Sequence, residues 1–467
     1  MRQTRNLQLS REVLFSGEVA EVVPYHIMYD KPYCLSALTL YTSHEYEQLA
    51  LGSQRVHQLY RKTLRFVQQH LPEPYLIHQL GLHPLLAALA TEQIDWDGIT
   101  RLDWIISPNG DMKCIENNTD TPSGIPEVAY LEGKLLQYAP DLRPASAQMD
   151  ECIREMFLSA VYDYRQRGLG GILYMTSYDW HDEDRMNTLY LLEQCKRAGI
   201  DAVYVPLEQL RIVPGDGLFY EQQKIELLYR LYPLEYLVED REEDSGRTVG
   251  EDLLHLVADG KLGLINPVQH MITQSKGFLA TLWSLYERND QMAEQIGFTL
   301  FTEEECQWIE RYMLPTYFTP EPFILADIPY VSKGFFGREG QGTKLIQQPQ
   351  LQGEPVAETV DRSPSPQEQA ITETQMPSAG ASDSDPTDRA EDEAAAAIAA
   401  YYEHQLQIYQ QLQPMEPVCA QTVEGDFDGY LLTGAFVIGG QFAGLLPRIG
   451  GKVTDNLACY CAAAILP

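Results

Sequence analysis

Long apolar runs are missing from this chain of 467 residues. No uninterrupted hydrophobic stretch reaches the roughly 20 residues that a helix needs to span a bilayer. Three arginines lie between Met1 and Leu14, and no apolar core of a secretory signal follows them. Basic residues are scarce: 34 Lys and Arg stand against 67 Asp and Glu, for a formal net charge of −33. That balance disfavours sequence-independent nucleic-acid binding, which relies on Lys and Arg neutralising phosphates, and docking on anionic membranes. Cysteine is sparse and dispersed, at positions 34, 114, 152, 195, 306, 419, 459 and 461, without one C-x-x-C pair. A structural zinc site is therefore not expected, and the thiols read as reduced, in a cytoplasmic protein. A Walker A loop and a G-x-G-x-x-G turn opening a helix are absent too.

What is present suits a large globular fold. Hydrophobic residues make up 44% of the chain, ample for a core. Tyr46, Leu49, Val56, Leu59, Tyr60, Leu64 and Val67 recur at helical spacing, so residues 44–70 predict an amphipathic helix that Pro72 and Pro74 end. Glu127–Tyr138 and Ser146–Arg165 read as further helices. A short strand ends at Ser177, a helix runs from about Met186 to Ala198, and Asp201–Pro206 reads as the next strand. That order suggests a βαβ unit. Asp182, Glu183 and Asp184 would then open at the carboxyl end of its first strand, or complement a helix dipole. Ala394–Leu412 reads as helical and Tyr430–Arg448 as two strands around Gly439-Gly440.

The chemistry concentrates around residues 101–122. Arg101-Leu102-Asp103-Trp104 runs into the turn Ser107-Pro108-Asn109-Gly110-Asp111, and Met112–Ile115 returns to Glu116 and Asn118. Period-two alternation puts Arg101 and Asp103 on one face, and Glu116 and Asn118 on one face of the partner strand. Two carboxylates and an amide are hard oxygen donors of the kind Mg²⁺ takes beside phosphate, and an arginine there stabilises developing negative charge. The same residues would equally make a polar hairpin rim with surface ion pairs. Ser332–Gly342 carries a lysine, an Arg-Glu pair and four glycines, which suits a loop closing over phosphates. Residues 351–394 hold eleven acids against two arginines and are rich in Pro, Ser, Thr and Gln. Their composition predicts a disordered insert that interrupts one module.

Taken in order, RLD (101–103), ENN-TDTP (116–122), YRLYPLE (229–235), NP and SKG (266–277), SKGFFGREG (332–340), IYQQL (408–412) and the block 435–456 resemble the glutathionylspermidine synthase family. The resemblance covers roughly residues 20–350 and 400–460, with no counterpart of the amidase domain that bifunctional members carry. It implies an α/β (α+β) fold of the ATP-grasp type. Residues 1–350 and 395–467 would form one synthetase module, with a βαβ substrate-binding region near 165–265 and a nucleotide-binding part made by about 266–350 plus 395–467. The implied reaction is ATP-dependent amide formation between a peptide-like, glutathione-like carboxylate and a polyamine-like amine. Asp103, Glu116 and Asn118 would hold Mg²⁺, and Arg101 would stabilise the transferring phosphoryl group. ATP would meet Lys276, Lys333, Glu339, Gly340, Gln410, Gln411, Leu412, Gln413, Arg448, Val453, Thr454 and Asp455. Thr121, Glu183, Asp184, Arg230 and Glu235 would bind substrate. A homo-oligomer is compatible with this reading. The alternative is an ATP-binding interaction module that has lost ligation.

Overall fold

A computed structural model of the chain describes residues 2–242, 244–348 and 405–467. The expected α/β class is what the chain adopts, and of the six sheets among the described residues the three largest build the site. The central sheet is antiparallel and six-stranded. Its order runs Cys459–Tyr460, Gln441–Gly450, Gly425–Ile438, Ile99–Ile106, Met112–Asn118, with Pro417–Thr422 pairing the outer half of Gly425–Ile438. A second sheet is wholly parallel: Gly263–Ile265, Leu227–Arg230, Leu173–Thr176, Ala202–Tyr204. The expected βαβ unit lies in it, and the helix Asp182–Arg197 connects its two strands. The third sheet, antiparallel, orders Thr316–Tyr317, Gln407–Gln411, Tyr330–Gly334 and Lys344–Ile346.

The long helix spans Ser43–His70 and starts on a reciprocal cap. Thr42 Oγ1 accepts from the Glu45 amide at 3.1 Å, and the Glu45 carboxylate accepts from the Thr42 amide at 2.8 Å. Each bond satisfies a donor that the first helical turn leaves open. Its apolar stripe, Leu49 through Val67, is buried. Leu71 ends it, and Pro74 sits in the first turn of a short new helix, Glu73–His78. Trp104, wholly buried, meets the Tyr312 ring edge-on at 5.9 Å and fixes the central sheet against this helical layer. Asn266 joins the parallel sheet to the central one, donating to the Ile99 and Thr119 carbonyls at 2.9 and 3.0 Å.

Two expectations fail locally. Residues 408–412 were expected to end a helix, yet Gln407–Gln411 is a strand paired to Tyr330–Gly334 on one side and Thr316–Tyr317 on the other. Burial alternates along it, Ile408 and Gln410 inward, so period-two packing and two ladders override local helix preference. The remainder of the expected 394–412 helix and the expected disordered insert, apart from the edge of the strand, lie outside the described residues. The helix expected from about Met186 begins at Asp182, and of the two readings of the acidic trio the helix-dipole one holds, since the trio occupies the first turn. Three carboxylates there face the positive end of the helix dipole, which accounts for the early start.

Candidate active site

The site grows from the register between Ile99–Ile106 and Met112–Asn118. Asp103 pairs with Glu116 and Arg101 with Asn118, so the four side chains converge as the alternation predicted. A register shift between Asp103 and Trp104 ends the alignment there, so Trp104 pairs with Cys114. On the other edge Asp103 pairs with Gly434. A methyl group on Gly434 would lie 2.9 Å from Arg101 Cδ, so only glycine leaves room for Arg101 to cross the strand.

Asp103 is the electrostatic hub. Its Oδ1 accepts from Arg101 Nε at 3.1 Å, and its Oδ2 accepts from Arg448 Nη2 at 3.0 Å and from Asn118 Nδ2 at 3.3 Å. Burial opposes its charge, but the two guanidiniums and the amide hold its carboxyl below the usual range. Lys276 Nζ lies 2.9 Å from Glu116 Oε1 and donates to the Gly337 carbonyl at 2.6 Å, which ties the Gly-rich loop to the hairpin. Lys333 Nζ donates to Gln410 Oε1 at 2.9 Å, and burial pulls its pKa down to about 8.

These groups line a cavity of about 540 Å³. Arg101, Asp103, Glu116, Asn118 and Arg448 form its floor with Thr121 beside them. Lys276, Lys333 and Gln410, Gln411, Leu412, Gln413 line one wall. Glu339 and Gly340 come from the loop, Val453, Thr454 and Asp455 from the C-terminal turn, and Glu183 and Asp184 from the start of the helix Asp182–Arg197. The Gln407–Gln411 strand is what brings the glutamines beside Lys333.

Two expected site residues stand apart. Arg230 is 1% exposed, its guanidinium paired with buried Asp120 and donating to the Tyr232 carbonyl at 2.8 Å. It holds the wall together from behind. Glu235 is also buried and accepts from Arg338 Nε at 2.8 Å. Arg338 reaches Thr121 Oγ1 as well, at 3.2 Å, and lies over the Tyr236 ring. It therefore clasps the Gly-rich loop to both the central hairpin and the parallel-sheet region, a role no spacing in the sequence shows. Tyr33 and His181 also line the cavity without a motif. Although burial opposes its charge, His181 is raised to about 9 by the Asp184 and Glu183 carboxylates.

The model of a family described as glutathionylspermidine synthase preATP-grasp matches residues 19–382. The chain belongs to that family. A putative acid–amine ligase of Haemophilus influenzae is 25% identical over 231 residues, 49% of this chain and 50% of that protein. The chain thus aligns with about half the length of this curated relative. A glutathione synthetase-like effector of Globodera pallida, in apo form, superposes with a TM-score of 0.49 at 10% identity, covering 91% of this chain and 88% of that one.

The family implies a divalent cation, and the donor set fits one. Asp103 is held as a carboxylate, Glu116 faces it across the ladder, and the Asn118 amide donates to Asp103. Oxygen donors from few side chains leave coordination positions for water and phosphate, as Mg²⁺ prefers. Among the described residues no group of three His, Cys, Asp or Glu gathers as a metal cluster, so such a cation would rest on these two carboxylates and one amide.

Proposed function

We propose that this family member is an ATP- and Mg²⁺-dependent C–N ligase that joins a peptide-like carboxylate to an amine through an acyl phosphate. One observation carries the reading. Arg101, Arg448, Lys276 and Lys333 surround the paired carboxylates Asp103 and Glu116 in one cavity roofed by a Gly-rich loop. Four cations around an anionic hub suit the transfer of a phosphoryl group, which needs positioning and charge stabilisation more than covalent work by the protein. The acid–amine ligase relative supports the same reaction class.

In this reading Asp103, Glu116 and Asn118 hold Mg²⁺, which when bound neutralises phosphate charge. Lys276 and Lys333 bind the nucleotide phosphates, and Gln410 to Gln413 with Val453 to Asp455 enclose the base. The Gly337–Gly340 loop covers the phosphates, and Arg338 holds it closed through Glu235 and Thr121. Arg101 and Arg448 stabilise the charge that builds on the carboxylate oxygens and the transferring phosphoryl group. Thr121, Glu183 and Asp184 face the substrates, a glutathione-like acid and a polyamine-like amine, while Arg230 and Glu235 support them from behind. Glu183 and Asp184 supply the negative field that attracts the amine as a cation.

The test is ADP release from ATP with Mg²⁺, crossing thiol peptides and dipeptides against polyamines and amino acids. Release that requires one acid and one amine together supports the ligase. Release with acid alone points to a kinase. Nucleotide binding by thermal shift with no release anywhere in the panel favours a module that binds ATP without ligation.

A further inference from the structure

The carboxyl ends of the parallel sheet carry a group of rings that the proposed reaction leaves unassigned. The strand Leu173–Thr176 sits between Ala202–Tyr204 on one side and Leu227–Arg230 on the other. The chain leaves Leu173–Thr176 toward the first of these, and leaves Leu227–Arg230 in the opposite direction, toward Gly263–Ile265. The order of strands therefore reverses between Leu173–Thr176 and Leu227–Arg230. At such a switch point the two connections part and leave a crevice beyond the strand ends, where open parallel sheets hold ligands. Thr176 pairs with Arg230, so the residues that follow them leave the sheet side by side, and the Leu231 amide donates to the Thr176 carbonyl at 2.9 Å.

Both exits deliver aromatic rings. Tyr178 and Trp180 follow the first strand, Tyr232 follows the second, and all of them line the cavity together with His181. The Tyr178 ring lies 5.1 Å from Trp180, tilted by 34°, and 5.4 Å from Tyr232, which meets it edge-on. Trp180 meets the His181 ring edge-on at 5.5 Å. The strip is fixed from behind: Arg230 Nη1 donates to the Tyr232 carbonyl at 2.8 Å, and Tyr232 Oη donates to Asp240 Oδ1 at 3.0 Å. Tyr232 is buried, whereas Trp180, the largest ring of the group, is 43% exposed. An indole left open against a cavity offers a ligand apolar area at little ordering cost.

Glu183 and Asp184 line the same cavity, in the first turn of the helix that follows Trp180. They do not define a cation site by themselves, because His181 lies 3.4 Å from Asp184 and Arg101 acts on Glu183. The rings add what those partners do not cancel: a negative face for an ammonium group and an apolar surface for the chain that carries it. The cavity is thus divided, with cations around Asp103 and Glu116 at its floor and rings with carboxylates at the switch point. We propose that Tyr178, Trp180 and Tyr232 form the specificity-determining subsite for the amine, taking an ammonium group borne on a chain of several methylenes. The rings hold chain and charge together, so affinity grows with chain length, and an uncharged chain binds poorly. The inference rests on the ligase reading, which places the amine beside Glu183 and Asp184.

Calorimetric titration of the full chain, with Mg²⁺ and ADP present, uses propylamine, butylamine and hexylamine as probes and hexanol as the uncharged control. Each added methylene is expected to tighten wild-type amine binding about three- to fourfold. Hexanol is expected to bind about tenfold more weakly than hexylamine. Trp180→Ala is expected to weaken hexylamine about tenfold and to leave ADP affinity as it was, while Trp180→Phe recovers most of the loss. Tyr178→Leu keeps apolar bulk without the negative ring face, and is expected to weaken hexylamine about threefold with no change for hexanol. The chain-length series needs the wild type alone and decides the matter should a variant fail to fold. Equal affinity for propylamine and hexylamine, wild-type hexylamine binding in Trp180→Ala, or no binding of any probe overturns the proposal. Hexanol binding as tightly as hexylamine also overturns it, and assigns the strip to an apolar side chain of the acid. ADP release that requires acid and amine, beside any of those results, leaves the ligase standing and removes only the subsite. Chain-length-dependent amine binding with no ADP release across the panel leaves the ammonium subsite and removes the ligase reading.

Discussion

Asp103 shows how one side chain serves folding and chemistry together. It is 4% exposed and receives both Arg101 and Arg448, so truncation to alanine would strand the buried Arg101 guanidinium and the partly buried one of Arg448. Removing one partner of a buried pair costs about 3–5 kcal/mol. Asp103→Asn keeps the shape and one acceptor, and is expected to lower Mg²⁺-dependent ADP release by about a hundredfold or more with a smaller fall in melting temperature. Glu116→Gln, more exposed and holding one lysine, is expected to lose activity with little loss of stability. Wild-type rates in both variants would remove the metal assignment. Lys333 gives a pH signature. Its pKa is lowered to about 8 by burial, so it is charged below that value and loses its charge as pH rises. Nucleotide affinity is expected to fall between pH 7 and 9, and Lys333→Arg, which stays protonated, to flatten that fall in a binding titration.

Between elements, close backbone approach decides what the site can hold. Gly434→Ala would drive a methyl group against Arg101 Cδ. Such overpacking costs about 1–3 kcal/mol, and the displaced Arg101 is expected to lower kcat at least tenfold; a crystal structure showing Arg101 unmoved would refute this. The Gly-rich loop is held by Arg338 on Glu235 and by Lys276 on the Gly337 carbonyl. Arg338→Lys keeps a charge but loses the fork, and is expected to raise KM for nucleotide severalfold in steady-state assays. The hairpin, the long helix and the βαβ unit were legible because their apolar periods match their packing. The Gln407–Gln411 strand was not, since its partners lie far away in sequence and local preference ran toward helix. The roles of Arg230 and Arg338 were hidden for the same reason: a motif names the residue, and only packing shows whether it faces the cavity or braces it.

At the scale of the molecule, buried carboxyls tie stability to pH. Burial raises Glu132 to about 8 although Ser146 and the Ala145 amide donate to it, and it raises Glu127 to about 7. A carboxyl whose pKa is higher in the folded chain contributes stability that is full below the unfolded value, near 4.5, and lost as pH rises through the folded one. Melting temperature is therefore expected to fall from pH 5 to 8, with each group contributing at most about 1.4 kcal/mol per pH unit. Glu132→Gln is expected to flatten part of that slope; a denaturation series with identical slopes would exclude the assignment. The one-module organisation proposed for 1–350 and 395–467 predicts that deleting residues 355–392 leaves the melting temperature nearly unchanged. A large loss by scanning calorimetry would show that the segment belongs to the packed fold.

The sequence by itself determined the family, the α/β class and the hairpin that sets Arg101 and Asp103 against Asn118 and Glu116. Alternation, turn residues and ordered motifs are local properties, and they survive in a linear reading. Tertiary structure alone decided which charges pair, which arginine faces the cavity and which lies behind it, and that Glu127 sits sealed against Tyr25 and Tyr33. Those outcomes depend on burial and on contacts between segments hundreds of residues apart, such as Arg448 on Asp103, and no spacing along the chain encodes them.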